Sequence, residues 1–158
     1  MDLYWVTALL YFIATVFYMS HIWTESRTGS RVGFYTVVLG TIVQSVSIVA
    51  LYLKGDMLAG GLDTTLYLFA LLITIVFIGS QLIFNAPLLG AFVSPLAFIM
   101  TLPHVILPQG IIEHESSLSN PWILIHIVLI LLGEALFTVA FISGLIYLFQ
   151  EQRINSNR

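Results

Sequence analysis

The chain has 158 residues, of which 59% are hydrophobic and 8% charged, with a formal net charge of −3 and a mean hydropathy of +1.01. A soluble domain carries about 25% charged residues, so this composition excludes a water-soluble fold and makes a bilayer the solvent. No basic surplus is left for a nucleic-acid partner. The absence of cysteine excludes disulfides, thiolate catalysis and thiolate metal sites.

A helix needs about 20 mostly apolar residues to cross a bilayer, and five stretches meet that requirement. The first runs from Leu3 to Trp23. Its leader, MDLYWVTALL, has no basic start and no small-residue cleavage site, so it reads as a retained helix, not a signal peptide. The second runs from Val32 to Leu53 and the third from Thr64 to Phe84. The fourth, Ala91 to Leu107, lies in a segment with prolines at 95, 103 and 108. Interior prolines free backbone groups that only neighbouring helices or water can satisfy in lipid, which predicts a bent helix packed inside the bundle. The fifth runs from Pro121 to Phe149. The expected fold is therefore an all-α integral membrane protein, a single transmembrane domain over residues 1–158 made of a five-helix bundle.

Orientation follows from the basic residues. Arg27 and Arg31 follow the first span, and Arg153 and Arg158 follow the fifth. Five spans put both groups on one side, taken as cytoplasmic, with the N-terminus outside. Lys54, Asp56, Asp63, Glu113 and Glu115 are then assigned to outer loops, so four of the five basic residues agree on this orientation. Trp23 and Trp122 sit near the membrane surfaces, as belt aromatics do.

Chemistry concentrates in the fifth span. An ionisable residue inside a membrane is a functional candidate by default, and this span holds His126 and Glu134. They are about 12 Å apart along a helix axis, too far for a direct hydrogen bond. Imidazole is the usual protein ligand of haem iron, so His126 reads either as an axial ligand or as an interface histidine bonded to a neighbouring helix. His104, near the outer end of the fourth span, lies at a similar depth, and the two could hold a haem between them. His21 lies at the opposite surface, about 20 Å or more from His126, and His114 sits between two glutamates in an outer loop. Glu134 reads as a proton relay, a haem-propionate neighbour, or a polar pin to Gln44, Gln81 or a serine. His126, Gly133, Ala140 and Gly144 share one face, and small residues there let a helix approach closely, so this face is expected to meet protein.

The stretch PWILIHIVLILLGEALFTVAFISGLIYLFQEQRI resembles a helix of the CcsA/ResC/HemX group of cytochrome c assembly proteins. That helix reads roughly as W-x-x-x-H, a small–aromatic–Ala triplet, an apolar run and a basic tail. Upstream, RVGFYTVVLGTIVQSVSIV, GLDTTLYLFALLITIVFIG and LGAFVSPLAFIMTLP match the order and spacing of the family's second, third and fourth helices. The resemblance covers nearly the whole chain and is most specific around His126.

This resemblance implies haem handling in a bacterial inner membrane: haem is bound or presented near the outer face for attachment to apocytochrome c, with His126 as an axial ligand. The chain would not be an enzyme in isolation. The sequence departs from the family pattern in lacking the segment W-G-x-x-W-x-W-D and the second outer histidine, and in having Glu134 where relatives tend to have tyrosine. The likeness is thus to the N-terminal five-helix portion, and it implies a partner chain supplying the rest. A non-catalytic structural or regulatory subunit of a larger membrane complex, without a cofactor, is the alternative. An ion-coupled transporter using Glu134 fits less well, since no inverted repeat is visible.

Overall fold

A computed structural model describes residues 3–24, 27–54, 61–107 and 121–156. Over these the chain forms five α-helices: α1 (Leu3–Thr24), α2 (Arg27–Lys54), α3 (Leu62–Phe84), α4 (Pro87–Ile106) and α5 (Pro121–Ser156). No strand occurs among the described residues. Each helix is long and apolar enough to cross a membrane, as the hydropathy predicts. His114 and Arg158 lie outside the described residues.

The first four helices form a four-cornered bundle in which α1 neighbours α2 and α4, and α3 neighbours α2 and α4. Their inward residues recur at alternating steps of four and three. On α1 these are Thr7, Tyr11, Ala14 and Tyr18; on α2 they are Gly33, Val37, Gly40, Gln44 and Ser47. That spacing keeps one stripe facing the centre and belongs to packing at about +20° between helices. Contacts between α1 and α2 pair Tyr18 with Gly33 and Tyr11 with Gly40, so the two helices run antiparallel. The α2–α4 diagonal is short, because the Tyr18 ring is held between two glycines. A methyl group added at Gly90 would lie 2.3 Å from the Tyr18 ring, and one added at Gly33 would lie 2.9 Å from it. Phe77 meets the same ring edge-on at 6.1 Å. The α1–α3 diagonal is spanned by long side chains alone.

The α3–α4 connection is Asn85 and Ala86. Asn85 adopts the left-handed conformation (φ 51°, ψ 48°), and its N–H closes the helix on the Gln81 carbonyl at 3.0 Å. Asparagine tolerates that region better than other residues with a Cβ. Pro87 then opens α4, where its missing N–H costs nothing.

Helix ends depart from hydropathy, because the backbone runs on beyond the apolar stretches. The second helix begins at Arg27, not Val32, so Arg27 and Arg31 belong to its first turns instead of a loop. The third begins at Leu62, which moves Asp63 from the expected loop into the first helical turn, where the helix dipole favours a carboxylate. The fifth continues past Phe149 through Gln150, Glu151 and Gln152 to Ser156. The proline-bearing α4 does pack inside, with neighbours on α1, α2, α3 and α5.

The fifth helix lies against α3 and α4 only, through Ala135 and Val139 with Ile142 and Ile146 beside them. Its opposite face is open. His126, Gly133, Ala140 and Gly144 are all exposed, and a methyl group added at Gly133 or Gly144 would touch nothing. The expectation that this face meets protein is therefore not met within the chain. Ala135 and Val139 seat α5 in the α3–α4 groove from the other side, which leaves the His126 face outward.

Candidate functional site

At the end of the bundle where α1 begins, three helices bring one histidine, one acid and two tyrosines together. Asp63 on the first turn of α3 lies 2.9 Å from Nδ1 of His104, on the last turn of α4. The histidine is 1% exposed and the aspartate 24%, so the pair reaches from the core to the bundle end. With Asp63 ionised its oxygens can only accept, and Nδ1 donates. That bond fixes the ring's orientation and directs Nε2 away from the aspartate. Two tyrosines clamp the ring. Tyr67, one turn below Asp63, stacks on it at 4.7 Å and 20°, and Tyr4 of α1 meets it edge-on at 4.7 Å and 84°. The two tyrosines meet each other edge-on at 5.8 Å.

Below this cluster a polar stripe continues into the bundle. The Tyr67 hydroxyl reaches Thr7 Oγ1 at 3.5 Å. Gln44 of α2 is fully buried, and both ends of its amide are used. Its Nε2 donates to the Tyr67 carbonyl at 2.8 Å, and its Oε1 accepts the Tyr11 hydroxyl at 2.5 Å. Thr74 Oγ1 lies 3.3 Å from that hydroxyl and donates its own proton to the Leu71 carbonyl at 2.9 Å. In an apolar interior a polar group without a partner is costly, so this amide stitches α1, α2 and α3 together. The stripe stops above Tyr18, whose buried hydroxyl has no hydrogen-bond partner.

The candidate residues from the sequence are thus separated. His104 is drawn into the core by Asp63 and the tyrosines, whereas His126 is exposed on α5, so the structure does not form the His104–His126 pair. Glu134 is also exposed on α5. The polar-pin reading of Glu134 to Gln44 fails, because Gln44 is buried and taken by Tyr11 and Tyr67. Hydropathy does not mark Asp63, Tyr4 and Tyr67 as site residues. One signal was available: Tyr67, Thr74, Thr101 and His104 stand in otherwise apolar runs at the spacing of the inward stripes.

Among the described residues no group of three or more histidine, cysteine, aspartate or glutamate side chains could hold a metal ion. Among the described residues an iron centre would find one exposed imidazole, that of His126, so the donor set fits one side of a haem iron. Compared with protein-family models, with curated proteins and with solved structures, the chain matches none.

Proposed function

We propose that this multi-pass membrane protein handles haem in the manner of cytochrome c biogenesis proteins, with His126 as the iron ligand it contributes near the outer face of a bacterial inner membrane. The supporting observation is the position of His126: the imidazole stands exposed on an open helix face, in the part of the sequence that most resembles the assembly family. His104 does not belong to this ligand set, because its ring is buried inside the bundle between Tyr4 and Tyr67. The second ligand then comes from another membrane subunit, a role that fits a chain carrying the family's C-terminal half. Apocytochrome c is the acceptor this reading implies, and the protein itself carries out no catalytic step. The arginine distribution supports an outward N-terminus.

The test is the absorption spectrum of the detergent-purified protein, oxidised and dithionite-reduced, after expression with added haem. Haem absorption is expected, lost in His126→Ala and kept in His104→Ala, with sharp reduced α and Soret bands only when the subunit supplying the second ligand is present. Bands retained in His126→Ala would overturn the assignment.

A second reading, a structural or regulatory subunit without a cofactor, is favoured by the same open face of α5, which offers a docking surface with or without iron. It predicts a colourless protein purified with stoichiometric membrane partners.

A further inference from the structure

The open face of α5 poses a problem that lipid alone does not solve. Ile130, Glu134, Phe137, Phe141, Gly144 and Leu148 recur at alternating steps of four and three, and all six are exposed. Acyl chains can cover the apolar members. They cannot serve the carboxyl of Glu134, which lies well inside the span Trp122–Gln152. Its backbone carbonyl accepts the Thr138 hydroxyl at 2.8 Å, but no described side chain hydrogen-bonds its carboxyl. A polar group in that position calls for a partner from outside the chain.

We propose that a second copy of the chain seats on this face, with the two α5 helices parallel about a two-fold axis along the membrane normal and the two Glu134 side chains meeting each other. Three observations favour a second copy over an unrelated helix. Copies inserted in the same direction bring Glu134 to the same depth by symmetry, whereas another chain would have to match that depth by design. A carboxylic acid group is both donor and acceptor, so two of them satisfy one another without a third group. Finally, the four-and-three spacing is self-complementary, as a two-fold interface requires. Gly144, with open space where a Cβ would be, gives room for the partner's Phe141 or Leu148. The inference does not rest on the haem reading, and its readouts are separate from the haem spectrum.

The chain has no cysteine of its own, so single introduced cysteines report proximity directly. In native membranes under oxidation, Phe141→Cys is expected to crosslink to a second copy. Ile42→Cys, on the exposed face of α2, is expected not to. In phosphatidylcholine vesicles, energy transfer between donor- and acceptor-labelled chains measures the association. Glu134→Leu should weaken it about tenfold, the scale of an interhelical polar contact in lipid. Glu134→Gln keeps a donor and an acceptor and should restore it to within about twofold. A chain that stays monomeric at every protein-to-lipid ratio would overturn the proposal. So would equal crosslinking from Ile42→Cys, undiminished association in Glu134→Leu, or crosslinking of Phe141→Cys only to a different protein.

Discussion

Gly90→Ala is the sharpest test of how this bundle is held together. The added methyl carbon would stand 2.3 Å from Cζ, 2.4 Å from Cε1 and 2.7 Å from Cε2 of Tyr18. Carbon atoms in good contact lie about 3.5–4.0 Å apart, so ring or helix must give way by more than ~1 Å. The ring has nowhere to go. Its other side faces Gly33, its edge meets Phe77, and it is fully buried. The strain therefore pushes α4 away from α1, at an overpacking cost of about 1–3 kcal/mol. Alanine's better helix propensity returns roughly 0.5–1 kcal/mol, leaving a net loss of about 1–2 kcal/mol. Reversible unfolding in dodecylmaltoside micelles by added sodium dodecyl sulfate, followed by tryptophan fluorescence, measures it. Gly79→Ala, where a methyl group touches nothing, is the control and should cost nothing or stabilise slightly. In a Tyr18→Ala background the Gly90→Ala penalty should vanish. A penalty equal to that of Gly79→Ala, or one that persists without the Tyr18 ring, would refute the reasoning.

Two of the buried tyrosines, Tyr11 and Tyr18, should respond in opposite directions in the same unfolding assay. Tyr18→Phe removes a hydroxyl with no partner and should stabilise by about 1 kcal/mol, whereas Tyr11→Phe breaks the bond to Gln44 and should destabilise by a similar amount. Gln44→Leu leaves the Tyr11 hydroxyl without its acceptor and should cost about 1–3 kcal/mol; equal stability would show that the amide is not the stitch. Asp63→Ala leaves His104 buried without its carboxylate and should also cost about 1–3 kcal/mol. If it does, a His104 side-chain nitrogen resonance will move with it, and an unchanged resonance would mean that the pair does not form in the membrane. His126→Ala should erase any haem bands without lowering stability, because its side chain is exposed.

Five helices long and apolar enough to cross a membrane were legible in the sequence. Hydropathy depends only on what each stretch contains, and twenty apolar residues in lipid must become a helix because no water is there to bond the backbone. The inward stripes were legible too, since Thr7, Tyr11, Ala14 and Tyr18, or Gly33, Val37, Gly40 and Gln44, carry their spacing on the page. Helix ends were not. Arg27 and Gln152 lie beyond the apolar runs, yet they continue helices already begun, so composition changes before the backbone does. The candidate site needed the tertiary structure. Asp63 and His104 stand 41 residues apart, and they meet because Asn85 turns α3 back against α4. The same packing decided between the two histidines. His104 points into a polar stripe that bonds it, and His126 stands on the side of α5 away from Ala135 and Val139, which meet α3 and α4. A histidine's chemistry depends on which neighbours surround it, and only three-dimensional packing assigns those neighbours.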